Sequence, residues 1–415
     1  MLTTDGFAAR PYILINTIQH YEWGSRGPKA YIPRFIGETP TDDIPYAELW
    51  MGAHPSAPSR IVLKGQAVPL NEIIRNHPVE TLGKTTAVKF RKQLPFLLKL
   101  LSAAEALSIQ VHPNREQAVE LHQRDPEHYP DDHHKPEIAI ALDHLTALVG
   151  FREFEQIERI LHKYPEIGEF IGRDIVHLVL DRKKGTADPA AILRTLFQTL
   201  IHNSISDPQR LLVSIQDLKE RIMTYSNRTE LETLFLQLRK KYKGPDVGLL
   251  MIFFLNLVQL SAGEAVFLGA GVPHAYLKGN LVECMASSDN VVRGGLTPKF
   301  QDAATLLDIT RYSLKPIEII RKDPRNAENV YVTDAEEFQI SRLLLSECTA
   351  QSIPTHDRAQ ILLITKGDGH ITWDNKSESG VLPISKGLSI FVPAFAGQIK
   401  VTPSVPLTLF RATLP

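Results

Sequence analysis

The sequence predicts a mainly β protein with an inserted helical domain and a second, smaller β unit at its C-terminus. Three observations predict it: short apolar segments broken by Pro and Gly up to about residue 150, apolar residues three to four apart between 151 and about 260, and strand and turn signals that return at Ser261-Ala-Gly-Glu. A chain of 415 residues also exceeds what one hydrophobic core usually organises, so two or three packed units are expected.

The first β part covers 1–150, with a helical stretch near Leu70 to Leu82; periodicity leaves the type of Val88 to Leu101 undecided. In 151–260, Ile157, Ile160 and Leu161, then Ile192, Leu193, Leu196 and Leu200, then Leu211, Leu212, Ile215, Leu218 and Ile222 trace helical faces. Strands at 261–325 then complete the first β domain, which makes the helices an insertion and that domain discontinuous. In 326–415 the runs Gln360-Ile-Leu-Leu-Ile-Thr, Gly369-His-Ile-Thr-Trp and Leu388-Ser-Ile-Phe-Val-Pro read as an antiparallel unit. Gly387-Leu-Ser-Ile-Phe-Val-Pro aligns weakly with Gly263-Glu-Ala-Val-Phe-Leu-Gly, which sets Gln398 opposite His274.

Composition narrows the functional classes. Lys and Arg total 46 against 47 Asp and Glu, so no global field favours nucleic acid or an anionic membrane, and an anionic ligand needs a local positive cluster. Met1 to Thr17 lacks a basic segment followed by a long apolar core, and no run approaches the roughly 18 apolar residues of a membrane span. A soluble, cytoplasmic protein without an obligate protein partner is expected. With Cys284 and Cys348 as the only cysteines, a metal would use His, carboxylate or amide ligands.

Such ligands occur where strand alternation groups them. In Leu107-Ser-Ile-Gln-Val-His112, Ser108, Gln110 and His112 share one face, and in His134-Lys-Pro-Glu137 Lys135 and Glu137 do. A tight turn in Gly269-Ala-Gly-Val-Pro precedes His274, with Tyr276 on the same side, and Glu283 and Met285 alternate with Val282 and Cys284 further on. A barrel lined by Gln110, His112, Glu137 and His274 suits zinc or another divalent transition metal that acts on sugar oxygens. Each of these residues also has an ordinary structural use: a buried His or Gln can simply be hydrogen-bonded, Tyr276 can be core, and Lys99 can snorkel. His133 and His134 read as solvated turn histidines, and His54 stays undecided.

Tyr129-Pro-Asp-Asp-His-His-Lys-Pro-Glu137 resembles the first signature of type I phosphomannose isomerases, and the stretch from His274 through Asp289-Asn-Val-Val-Arg-Gly-Gly-Leu-Thr-Pro-Lys299 resembles the second. Gln19-His-Tyr-Glu-Trp-Gly-Ser, Ala47-Glu-Leu-Trp-Met-Gly-Ala-His-Pro and Leu94-Pro-Phe-Leu-Leu-Lys-Leu-Leu-Ser extend the resemblance. Two positions depart from it, His133 for an Asn and Gly294 for an Ala, and the glycine is expected to loosen the loop of Arg293.

The resemblance implies a cupin (jelly-roll) catalytic barrel, a second C-terminal cupin-like unit and one Zn²⁺ per chain on Gln110, His112, Glu137 and His274. It implies a phosphorylated hexose substrate, with mannose 6-phosphate and fructose 6-phosphate interconverted through a cis-enediol for activated mannose or glycolysis. Arg293 corresponds to the family's active-site arginine, and phosphate contacts fall on Ser108, Lys99 and Lys299. Glu283 is the candidate base, with Tyr276 and Lys135 as alternative proton carriers. Two other classes stay open: a cupin that binds a sugar phosphate without turnover, and an iron oxygenase on His112, His274 and Glu137. Gln110 and the lysines count against the oxygenase.

Overall fold

The computed structural model describes residues 6–180, 188–375 and 378–415. At its centre is a barrel of two sheets that share the strand His274–Ala286. The first half of that strand pairs with Leu145–Phe151 and meets Ile109–Val111, which in turn pairs with Val292–Gly295. Its second half pairs with Phe96–Ala103 on one side and Glu137–Ala141 on the other. Glu48–Gly52 and Thr17–Gln19 extend the second sheet beyond Phe96–Ala103, and Ala265–Leu268 extends it beyond Glu137–Ala141.

The strand changes sheets at Lys278 and Gly279: Lys278 lies opposite Thr146, whereas Gly279 lies opposite Ala103. Gly279 has φ +131°, and a Cβ there would meet the His144 carbonyl oxygen at 2.5 Å. Only glycine fits this corner.

The helices leave and rejoin the barrel at a single point, because Phe151 and Leu255 are opposite one another where Leu145–Phe151 pairs with Leu255–Leu260. The sheet thus resumes at Leu255, ahead of the turn signal at 261. Its start was hidden in sequence by the unbroken buried run Leu249-Leu-Met-Ile-Phe-Phe-Leu255. Between these points lie Phe154–Lys163, Pro165–Ile171, Arg173–Leu180, Pro189–Ser206, Pro208–Met223 and Glu230–Lys241. Asp188 and Asp207 cap two of them, each followed by Pro at the first helical position. The faces traced by Ile157, Leu193, Leu196, Leu211, Ile215 and Leu218 are buried, and they pack with Ile109, Val111 and Leu148 from the outside of the first sheet.

One carboxylate inside this helical core gives a pH test. Glu232 forms a capping box with Thr229, accepts from the Tyr164 hydroxyl at 2.7 Å and pairs with Lys163 at 2.8 Å. Burial opposes its ionisation, but Lys163 and the hydrogen-bond donors outweigh it and bring its pKa from 4.5 to about 2. A depressed folded-state pKa stabilises above 4.5, and that contribution is lost as pH falls toward 2. Glu232→Gln is expected to cost about 1 kcal/mol at pH 7 and to flatten the loss of stability between those pH values. Thermal unfolding across that range checks it; an unchanged acid limb would remove Glu232 as its source.

The C-terminal unit is also a two-sheet structure. Its larger sheet runs Tyr12–Ile13, Ser389–Val392, Gln360–Lys366, Leu407–Thr413, Gln339–Leu345 and Glu328–Tyr331. Tyr12–Ile13 therefore joins the C-terminal sheet, although it lies at the start of the stretch read as the first β part. The smaller sheet runs Gln351–Pro354, Gln398–Pro403, Asp368–Asp374 and Ser379–Ser385. Between the two sheets lie Leu362, Ile364, Ile371, Trp373, Ile390 and Val401, an apolar filling. The larger sheet's outer face, with Ile340, Ile361, Leu363 and Phe410, packs on Leu49, Leu98, Leu100, Ile138 and Cys284 of the barrel. Ala265–Leu268 and Ser389–Val392 are both strands, and His274 and Gln398 each open a later one, but Gln398 is exposed whereas His274 is fully buried.

Candidate metal centre and active site

Register places the polar groups. Gln110 lies opposite His274 on one side and Arg293 on the other, so three of the candidate site residues form a row across the first sheet. In the second sheet Lys99 lies opposite both Trp50 and Glu283, and Glu137 lies opposite Met285. The residues between these positions, Leu98, Leu100, Ile138, Val282 and Cys284, point outward into the contact with the C-terminal unit. Alternation read from the sequence thus gave the right faces.

His112, Glu137 and His274 are buried with ligand atoms all within 4.8 Å of one another. Among the described residues this is the one such group of three or more His, Cys, Asp or Glu. His112 Nδ1 donates to the Asn290 carbonyl and His274 Nδ1 to the Val272 carbonyl, both at 2.9 Å. Both Nε2 atoms then face the carboxylate of Glu137, at 3.4 Å from His112 and 3.5 Å from His274.

His112 Nε2 and Glu137 Oε2 have no hydrogen-bond partner, a costly arrangement for buried polar atoms that a cation at this point would relieve. Burial also pushes the pKa of His112 down to about 4 against the pull of Glu137, which keeps the imidazole neutral. For Glu137, burial is outweighed by Lys135 and the two histidines, so it stays ionised. The Gln110 amide is 3.4 Å from His274 Nε2, and rotation about its terminal bond presents oxygen in place of nitrogen. Two imidazoles, a carboxylate and an amide oxygen fit zinc.

Deeper in the barrel lies a charged network only partly foreseen. Lys99 Nζ lies 3.1 Å from Glu283 and 3.3 Å from Glu48, and it sits over the Trp50 ring. Tyr276 donates to Glu283 at 2.9 Å, and Trp50 Nε1–H donates to Glu48 at 2.6 Å. Burial opposes the charge on Lys99, but Glu48 and Glu283 reverse that and raise its pKa. To meet a phosphate, Lys99 would have to exchange a carboxylate for the ligand's oxygens. Burial raises the pKa of Glu283, against Lys99 and with the help of Glu137 and Glu48. Lys135 Nζ is 3.0 Å from Glu137 Oε1, which ties it to the metal group.

Glu48 was missed because a lone acidic residue on a strand has no distinctive spacing; its alternation with Trp50 was the available signal. His54, undecided in sequence, is buried, packs edge-on to Trp50 and lies 3.5 Å from Asp289.

Arg293 and Lys299 approach a common aromatic side chain. Arg293 is half-buried; burial lowers its pKa, opposed by Tyr129 and Tyr21, and among the described residues it forms no salt bridge with a carboxylate. Lys299 is exposed and its Nζ lies 5.6 Å from the Tyr21 ring. Ser108 is half-buried just before the Ile109–Val111 strand. Gly294 lies in the strand Val292–Gly295, where the register shifts between Arg293 and Gly295, and it is buried against Met251 and Leu306. The expectation of a loosened Arg293 loop is therefore corrected: the glycine occupies a packed bulge.

Two imidazoles and a carboxylate with ligand atoms within 4.8 Å of one another, and the Gln110 amide beside them, inside a two-sheet barrel define a metal-binding cupin. A family model for the type I phosphomannose isomerase catalytic domain matches residues 12–154. Mannose-6-phosphate isomerase of Rattus norvegicus is 37% identical, over 97% of this chain and 98% of its own length. Mannose-6-phosphate isomerase of Schizosaccharomyces pombe is 36% identical, over 97% and 99%. Among solved structures, an arginine-to-alanine variant of phosphomannose isomerase from Salmonella typhimurium superposes with TM-score 0.85 at 31% identity, covering 98% of this chain and 100% of that one. A zinc-bound mannose 6-phosphate isomerase superposes with TM-score 0.83 at 32% identity and the same coverage. The chain belongs to the type I mannose-6-phosphate isomerase family.

Proposed function

We propose that this protein interconverts mannose 6-phosphate and fructose 6-phosphate, with one zinc held by Gln110, His112, Glu137 and His274. The observation that carries this is the buried metal group sharing its barrel with a carboxylate, Glu283, whose pKa is raised. The zinc, when bound, supplies Lewis acidity toward the sugar's oxygens.

The chain's own groups do the rest. Glu283 takes the proton from C2 of the open-chain aldose and returns it to C1, while the hydroxyl proton on O2 moves to O1 through the cis-enediol. Tyr276 donates to Glu283 and orients it. Arg293 offers a charged, planar donor pair to the oxygen where negative charge develops. Lys135, beside Glu137, is the alternative proton carrier. Ser108, Lys299 and Lys99, with Arg293, receive the phosphate.

The chain divides into a catalytic cupin at 1–150 and 261–325, a helical domain at 151–260 and a cupin-like unit at 326–415. It works in the cytoplasm, without nucleic acid, membrane or an obligate protein partner. The balance of 46 basic and 47 acidic residues supports that reading, and no helix among the described residues is long and apolar enough to cross a membrane.

The test is a coupled assay on purified protein with mannose 6-phosphate, with and without chelator, beside metal analysis. About one zinc per chain is expected, lost together with turnover in His274→Ala. Two equivalents that survive His274→Ala would refute the single site, and zinc retained without turnover would select a sugar-phosphate binding protein.

A further inference from the structure

The two sequence signatures, around 129–137 and 274–299, are fastened together by one carboxylate that takes no part in the chemistry above. Asp131 Oδ1 accepts from the Ser288 hydroxyl at 2.8 Å, from the His133 backbone N–H at 3.0 Å and from Asn290 Nδ2 at 3.1 Å. Its Oδ2 accepts from the Asp289 backbone N–H at 2.8 Å. Three full donors, with an Asn290 hydrogen shared with a backbone carbonyl, occupy most of the acceptor capacity of an ionised carboxylate.

Asn290 is fully buried, and its Nδ2 also donates to the Asp131 carbonyl at 2.7 Å and the His133 carbonyl at 2.9 Å. These bonds fix the peptide whose carbonyl accepts from His112 Nδ1 at 2.9 Å.

The two histidines differ in how they are held. The carbonyl on His274 belongs to Val272, two residues away in the same turn, and Gly271 N–H in that turn donates to the His112 carbonyl at 2.8 Å. The carbonyl on His112 lies 178 residues away in sequence, and within its own segment the Asn290 N–H is held only by the Ser288 hydroxyl, at 3.2 Å. Its place depends on what holds the segment Ser288-Asp-Asn290 against Asp131-Asp-His133.

We propose that Asp131 is a positioning residue: by clamping Ser288, Asp289 and Asn290 it holds the Asn290 carbonyl on His112 Nδ1, and so governs how long the chain retains zinc. Such carbonyl partners fix the tautomer and aim of a ligand imidazole, and their loss typically weakens metal affinity by about 10- to 100-fold. Asp131→Asn keeps the volume but turns one acceptor into a donor that faces the Asp289 N–H. The bonds from Asn290 to the backbone carbonyls of Asp131 and His133 survive, so the segment loosens without unfolding. The proposal rests on the zinc reading of the site.

The experiment measures zinc release from the loaded full chain into excess chromophoric chelator, and the visible absorption of the protein reconstituted with Co²⁺. Asp131→Asn is expected to release zinc about 10- to 100-fold faster, with a shifted Co²⁺ band and with the metal-free protein melting near wild type. Ser288→Ala, which removes the hydroxyl that donates to Asp131 and accepts from the Asn290 N–H at 3.2 Å, is expected to accelerate release as well, and the double variant less than the product of the two. Asp132→Asn is the control: Asp132 pairs with Arg91 at the surface, and its release is expected to match wild type. Release from Asp131→Asn at the wild-type rate with an unshifted band overturns the proposal, as does equal acceleration in Asp132→Asn. If Asp131→Asn does not fold, Ser288→Ala decides, and wild-type release from it overturns the clamp. Failure of the unsubstituted chain to take up zinc or Co²⁺ overturns the site reading itself, which separates the two failures.

Discussion

Arg293→Lys is expected to leave the protein folded and zinc-loaded while kcat falls about 100-fold or more. Arg293 sits directly across from Gln110, which lies across from His274, so its guanidinium starts one strand away from the metal group. Burial lowers its pKa, opposed by Tyr129 and Tyr21, and among the described residues no salt bridge ties its guanidinium to a carboxylate, so its donors can turn to an oxygen of the substrate. Lysine keeps the charge but replaces a planar fork with a single point donor, one that burial would discharge more readily. The change therefore tests geometry. Zinc content is measured first, because the packed bulge at Gly294 adjoins the strand that carries Gln110. With zinc intact, a rise in KM at constant kcat would make Arg293 a phosphate clamp, and near-native kcat and KM would remove it from the catalytic assignment.

The face that carries the candidate ligands was legible in sequence because strand alternation is local. Ser108, Gln110 and His112 recur at a spacing of two, and the face they share needs no knowledge of what lies opposite. What could not be read is what the opposite strand brings. Glu48 carries no motif of its own, and only the register of Glu48–Gly52 against Phe96–Ala103 brings its strand beside that of Lys99. Likewise, His54 meets Asp289, and His112 acquires its carbonyl partner through Asn290, contacts between residues far apart in sequence.

The start of the strand at Leu255 and the place of Tyr12–Ile13 escape the sequence for a different reason. Apolar residues on both sides of Leu255 are buried, so the pattern does not change where helix gives way to strand. The two residues Tyr12–Ile13 join a sheet whose other strands lie more than 300 residues away, which no local pattern encodes.

Glu283→Gln is expected to reduce kcat about a thousandfold, within the range for loss of a general base, while zinc content stays at about one per chain. The groups facing Glu283 are Lys99 and Tyr276 in direct contact, with Glu137, Glu48 and Lys135 acting from further away. Burial is the leading influence and raises its pKa, Lys99 opposes it, and Glu137 and Glu48 add to it. A base works when deprotonated, so activity rises with pH through this raised pKa, and the acid limb of kcat/KM lies above the ordinary carboxylate range. The sign for stability is the reverse of the Glu232 case. A folded-state pKa above the unfolded one favours the protonated folded form, and that stabilisation is lost as pH rises through the raised pKa. Glu283→Gln removes a buried charge that costs stability at neutral pH, while Lys99 keeps Glu48 as its partner, so melting at pH 7 is expected to be no lower than wild type. Glu48→Gln supplies the independent reading: it withdraws one negative charge and leaves Lys99 to Glu283 alone, which lowers the pKa of Glu283 and moves the acid limb to lower pH. A Glu283→Gln enzyme that keeps kcat within a few-fold of wild type would exclude Glu283 as the base. The proton transfer would then fall to Lys135, and an acid limb unmoved by Glu48→Gln would agree with that reassignment.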